Sequence, residues 1–380
     1  MPNLYKAKRP MHNATRFLFI LLIMSPMMAL AQKAPDAPCA PVAPDAPSID
    51  IAVDLSDLSA LAELGKLAML DKNLITMLQE QQQPNSLDAE KRRTIDKSYK
   101  VSKTDLLDIE NRFGKVQVNT WSKNEMRVKV DVIARAATDG KAQEILDNIK
   151  IIEIREGSTI SFKTEMSPMR ISGNSQKSFE VNYTIFMPSG NPVAVNNTYG
   201  DVYLADLQGK ADITVKYGTL KSERMSNSGN SVKLSYGSGN CGFINGGNIQ
   251  VSYSDFNLSG TNGLQGSSKY SDFKIGNLGE ELNLEVKYGT FKVDKVSKGI
   301  RRISLDSGFT PIALNFEDNT TFKFDVSVQF GDFKVDKSLI NITSSDKDYT
   351  SAEYKGNFGG ASSTGLVTIT SKYGDVKFTQ

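Results

Sequence analysis

Nine lysines recur at two fixed places around one short phrase. Lys216, Lys269, Lys287 and Lys372 stand directly before a tyrosine; Lys221, Lys274, Lys292, Lys334 and Lys377 follow the next apolar step. Lined up, they would form outward-facing ladders suited to an anionic polysaccharide or a lipid headgroup surface. The same ladders would equally serve solubility and edge protection, since Asp and Glu lie close by. Asp201, Asp255, Asp272, Asp332 and Asp375 follow the small residue of the same phrase. Two such carboxylates about 5 Å apart on successive turns could bind Ca²⁺. Thr219, Ser238 and Thr290 fill that place elsewhere, which points to turn chemistry, and the Gly-Gly-x-Gly-x-Asp nonapeptides of calcium-binding β-rolls are absent. No metal or cofactor is therefore expected.

Other chemistries fall away earlier. The one histidine, His12, lies in an N-terminal stretch with Lys6, Lys8, Arg9 and Arg16, the apolar run Phe17 to Met24, and the small residues Ala29 and Ala31. This reads as a signal peptide over 1–31, cleaved after Ala31, so the mature chain is expected to be exported to the periplasm, cell envelope or exterior. Removing His12 excludes His-assisted serine and cysteine hydrolases and imidazole zinc sites. A histidine-free, polysaccharide-cleaving site remains conceivable, with "KGIRRISLDSGF" and its Lys298, Arg301, Arg302 and Asp306 the nearest cluster. That cluster reads equally as one imperfect repeat, and the expectation is a protein without catalysis. Residues 191–380 hold 20 basic and 20 acidic side chains, which leaves nucleic-acid binding without an electrostatic engine. Cys39 and Cys241 make no disulfide framework, and no later run is long enough to span a bilayer.

The elements that would position these side chains follow from composition and period. Residues 32–50 alternate Ala and Pro with Asp, a semi-rigid solvated spacer. In 51–83, Leu58, Leu61, Leu64, Leu67, Leu74 and Leu78 recur every three or four residues and Pro84 ends the run, which predicts an amphipathic helix. It would pack on the body, engage a protein partner, or lie on a membrane surface. Residues 94–190 alternate apolar and polar as strands, with a short helix over Asp139 to Ile149 whose apolar face is Ile145, Leu146 and Ile149.

From 191 to 380 the phrase itself repeats: "VKYGTLKS", "SKYSDFKI", "VKYGTFKV", "VQFGDFKV", "SKYGDVKF". The aromatic falls at Tyr199, Tyr217, Tyr236, Tyr253, Tyr270 and Tyr288, in steps of 17 to 19; Ser307 then stands where a Tyr is expected, and Phe330 and Tyr373 resume. Alternation puts Leu284, Val286 and Tyr288 on one face and, after a corner at the Gly, Phe291 and Val293 on it again. Stacked turns would place like on like about 4.8 Å apart, with most tyrosines in the core and so unavailable to sugar rings. The fold expected is mainly β, a parallel β-solenoid (β-helix) of about 18 residues per repeat, preceded by the amphipathic helix. A meander of hairpins is the competitor, but tight hairpins want Asn-Gly or Asp-Gly at the turn.

"LLDIENRFGKVQVNTW", followed by the short helix and then by repeats of "YGDV" and "YGTF", resembles the bacterial putative-adhesin domain family. The resemblance covers roughly Tyr99 to Gln380. It implies an exported β-solenoid acting as an adhesin or surface scaffold and brings no catalytic residues. The partner expected is a cell-surface glycan or an envelope protein, the latter engaged through the 51–83 helix.

Overall fold

The computed structural model describes residues 87, 89–167, 177–360 and 365–380; the leader, spacer and 51–83 segment lie outside the described residues. Within them the chain is mainly strand, joined in one 23-stranded sheet with a single α-helix. No helix among the described residues is long and apolar enough to cross a membrane.

Each repeat contributes two strands around its aromatic-Gly corner. β10 (Ala211–Lys216) and β11 (Thr219–Met225) flank Tyr217 and Gly218. β10 pairs in parallel with β8 (Val193–Thr198) on one side and β12 (Asn230–Ile244) on the other, Val215 standing between Asn197 and Leu234. β11 likewise pairs in parallel with β9 (Val202–Leu204) and the second half of β12. The pattern continues through β13 (Gly247–Lys269), β14 (Asp272–Lys287), β15 (Thr290–Val296) and β16 (Arg302–Gly308). Consecutive repeats thus pair in parallel, which a hairpin meander cannot do. Alternation within each strand does the sorting. Ile213 and Val215 are buried while Asp212 and Lys216 face water, and the buried residues of both arms join one cluster.

β2 (Leu106–Arg112) and β3 (Val116–Trp121) pair with β8 and β9, so the same parallel stacking runs back across position 191. Beyond them, still in parallel, lie β6 (Thr159–Met166) and β7 (Lys177–Pro188), and on their far sides the pairing turns antiparallel. β5 (Ile149–Glu156) covers β6, β4 (Glu125–Ala136) covers β7, and β1 (Ala89–Lys100) covers β4. The helix α1 (Asp139–Asn148) forms where expected, capped by Thr138, with Ala142, Ile145 and Leu146 buried.

At the other end, chain order and spatial order part. β22 (Gly365–Lys372) and β23 (Val376–Thr379), last in sequence, insert between β16 with β17 (Ile312–Phe316) and β18 (Phe322–Gln329) with β19 (Phe333–Lys334). β18 is then covered by antiparallel β21 (Ser351–Phe358), and β21 by β20 (Ile340–Lys347), so antiparallel strands lie over the parallel rungs at both ends.

Candidate interaction surface

The corner is where the sequence expectation fails. Ten aromatics at equivalent corners, Phe113, Tyr199, Tyr217, Tyr236, Tyr253, Tyr270, Tyr288, Phe309, Phe330 and Tyr373, have φ between 51° and 62°. This left-handed conformation is unusual for a large side chain and costs on the order of 1 kcal/mol. It turns the ring away from the core. Apart from Phe113, which is only partly exposed, these residues are 44% to 50% exposed. The tyrosines are therefore not core residues. Ser307 is not the irregular rung's corner residue either: Phe309 takes that place, while Ser307 is buried and its hydroxyl donates to the Thr310 carbonyl at 2.7 Å.

The glycine that follows explains the exchange of places. A Cβ on Gly218 would lie 2.1 Å from the Gly200 carbonyl oxygen, and one on Gly200 2.0 Å from that of Gly114. At these two positions no side chain fits that close approach. Glycine thus fills the inner side of the corner and the ring the outer. Ser254, Ser271 and Thr310 replace glycine in three rungs, and the Ser254 and Ser271 hydroxyls accept the N–H of Gly237 and of Ser254, each at 3.1 Å.

Outside, the rings form one ladder, in spatial order Phe113, Tyr199, Tyr217, Tyr236, Tyr253, Tyr270, Tyr288, Phe309, Tyr373 and Phe330. Successive centroids are 4.6 to 5.1 Å apart and the planes lie within 12° of parallel. Phe179 closes the lower end, edge-on to Phe113 at 5.0 Å. The strip is about 40 Å long at the strand spacing. It exposes on the order of 1,000 Å² of aromatic residue, hydroxyls and backbone included. Since the faces cover one another, solvent meets ring edges and a row of phenol hydroxyls.

Polar columns flank the strip. On the side before the ring the column reads Lys216, Ser235, Ser252, then Lys269 beside Lys287, then Gly308, Lys372 and Gln329. The column of the apolar step reads Lys221, Asn240, Asn257, then Lys274 beside Lys292, then Ala313, Lys377 and Lys334. The nine lysines do fall into two columns, but serine, asparagine, glycine and alanine interrupt them. Five are also paired. Glu285 bridges Lys287 and Lys269, Asp294 bridges Lys274 at 2.8 Å and Lys292 at 2.9 Å, and Asp375 holds Lys334 at 2.5 Å. These hydrogen bonds hold the Glu285, Asp294 and Asp375 carboxyls below the ordinary range. Lys221 lies over the Tyr203 ring at 5.7 Å.

The aspartates serve the corners. Asp201 accepts the Thr219 N–H at 2.8 Å, Asp272 the Thr290 N–H at 3.0 Å, and Asp375 the Asp332 N–H at 2.9 Å. Asp255 and Asp272 stand in register, yet no group of metal-ligating side chains assembles among the described residues. In the irregular rung, Arg301 is engaged by Glu280 at 2.7 Å and Glu281 at 3.4 Å. Arg302 and Asp306 stand four residues apart along β16, roughly 13 Å by strand rise, and no ion pair joins them. Cys241 is a free, buried thiol whose pKa burial raises to about 11, and Cys39 lies outside the described residues.

No family model matches the chain, and no curated protein is similar to it. Among solved structures it is similar to a putative adhesin from Bacteroides fragilis NCTC 9343, at 11% identity over 75% of this chain and 97% of that one, with a TM-score of 0.30. It is similar to a putative adhesin from Parabacteroides distasonis ATCC 8503, at 9% identity over 75% and 97%, with a TM-score of 0.35. A putative lipid binding protein from the same Parabacteroides strain aligns at 9% identity over 76% and 97%, with a TM-score of 0.24. Two of these three neighbours are named putative adhesins. At these identities and TM-scores the likenesses carry no further argument.

Proposed function

We propose that this chain is an exported, non-catalytic β-solenoid that works as a surface interaction scaffold of the adhesin kind, with the outer aromatic ladder as its contact surface. One observation carries the reading. Nine large rings are held half-exposed in left-handed backbone, where Asn or Gly would sit with less strain. Stacking returns about 0.5–1.5 kcal/mol per pair, comparable to the strain, so the ladder adds little to the fold it decorates. A surface that adds little to stability yet exposes apolar area is what an interaction site requires. The parallel pairing of successive repeats at steps of 17 to 19 residues supports the solenoid. The two lysine columns would tune approach to an anionic envelope, and many equivalent rungs would sum weak contacts into avidity.

The test is binding of the full chain to intact bacterial cells, beside a Tyr236→Asn/Tyr253→Asn/Tyr270→Asn variant shown to be folded by circular dichroism. Loss of binding in the variant is the expected result. Equal binding by both proteins would move the contact surface away from the ladder.

A further inference from the structure

If the ladder is a contact surface, the question is what fits it, and four features of the strip narrow the answer. The first is its period. Ring spacing stays between 4.6 and 5.1 Å over nine successive contacts, so a partner that meets every rung equivalently must repeat at the strand spacing too. The second is ring orientation. With planes as close as 3° to parallel, as for Tyr236 on Tyr253, the faces are taken and a sugar ring has no free aromatic face to stack on. Edges and hydroxyls remain, and a phenol hydroxyl both donates and accepts, so it can pair with its own copy. The third is area. About 1,000 Å² of strip on each of two copies reaches the ~1,600 Å² total of a standard specific interface.

The fourth is charge. The column before the ring is basic, with Lys216, Lys269, Lys287 and Lys372; the column two residues after it is acidic, with Asp201, Asp255, Asp272, Asp332 and Asp375. Two strips face to face can be related by a two-fold axis along the ladder or across it. An axis across the ladder sets lysine column against lysine column and aspartate against aspartate. An axis along it sets each basic column against the partner's acidic one, Lys269 level with Asp272 and Lys372 level with Asp375.

We propose that the ladder binds a second copy of this chain, the two ladders parallel and facing, with the two-fold axis running along them. The inference rests on the reading of the ladder as a contact surface. It adds the partner and its orientation: homotypic, isologous pairing of the kind that joins two scaffolds side by side.

The geometry has a distinctive signature. With the axis along the ladder, equivalent residues in one outward column are equally far from their counterparts at every rung. With the axis across it, that distance changes from rung to rung. We would place single nitroxide labels at Lys221→Cys, Asn257→Cys and Lys292→Cys, in a Cys39→Ser background of the full chain, and measure inter-copy distances by pulsed electron resonance. Three matching distances are expected. Distances that differ by many ångströms over these four rung steps, which span about 19 Å, would overturn the orientation.

Sedimentation of the unlabelled chain up to ~100 μM decides the pairing itself. A dimer that the Tyr236→Asn/Tyr253→Asn/Tyr270→Asn variant abolishes supports it. A monomer throughout, or a dimer that the variant leaves intact, overturns it. The cell-binding result separates the two readings. A monomeric chain that binds cells through its ladder keeps the contact surface and loses the homotypic partner, whereas a dimeric chain that binds no cells keeps the pairing alone.

Discussion

Three rungs carry two aromatic columns each, three residues apart in sequence. Phe256, Phe273 and Phe291 stand inside, almost wholly buried, with successive rings edge to face at 5.1 and 5.7 Å. Tyr253, Tyr270 and Tyr288 stand outside, about half exposed, with planes within 4° of parallel at 4.7 to 4.8 Å. The backbone imposes the same repeat on both, so the difference lies in what surrounds them. Inside, each ring has neighbours on all sides and adopts the tilted packing that aromatic quadrupoles prefer. Outside, only the rungs above and below are available, and the rings are left to stack along the repeat. The inner column holds the fold; the outer one displays it.

That contrast can be broken from either side. Phe273→Ala should have the largest effect, a loss of about 3–5 kcal/mol in urea unfolding, because the cavity lies where rungs already in contact cannot close it. Next comes Gly218→Ala. The new Cβ meets a backbone oxygen, and a destabilisation of about 1–3 kcal/mol or more in the same experiment is expected, far above the cost of a methyl group at an open glycine. Tyr270→Asn exchanges two stacking contacts for relief of left-handed strain, and its stability should stay within about 1 kcal/mol of the parent. A loss matching that of Phe273→Ala would make the two columns equivalent and dissolve the contrast.

The smallest effect belongs to the flanking charges. Glu285 is held below its ordinary value of 4.5 by hydrogen bonds from Lys287 and Lys269. A carboxyl depressed on folding contributes stability that is present above its unfolded pKa and lost as pH falls through the folded one. Glu285→Gln should therefore be slightly less stable than the parent at neutral pH, and the two curves should converge below about pH 4.5; thermal melts across pH 2–7 would show it. All three side chains are more than one-third exposed, so screening keeps the difference small.

Much of this was legible in the sequence. Strand content, the 17 to 19 residue step and α1 are written in local alternation and in the helical spacing of Ile145 and Leu146, while Ile149, read as part of the same face, caps the helix and starts β5. The facing of the tyrosines was not legible, and the reason is specific. Val215 and Leu220 are both buried although five residues apart, so one residue of the alternation must be absorbed at the corner. Either Tyr217 or Gly218 can absorb it, and glycine is the residue that usually takes left-handed backbone. The choice is made by Gly200 in the neighbouring rung, whose carbonyl leaves no space for a Cβ. That contact is tertiary. The spatial order of the last rungs was hidden for a similar reason, since nothing local to β22 and β23 says that they slip between β17 and β19. The lysine columns were legible as positions, while the pairing of five of them to Glu285, Asp294 and Asp375 appears only once the rungs are stacked.

The most direct test of the account is equilibrium urea unfolding of the Tyr236→Asn/Tyr253→Asn/Tyr270→Asn variant beside the parent, at a dilution where association contributes nothing to either. Unfolding midpoints that nearly coincide are predicted, as befits rings held for display. A loss of several kcal/mol, with the cooperativity unchanged, would mean that the outer ladder is a structural column like the inner one, and would contradict the account.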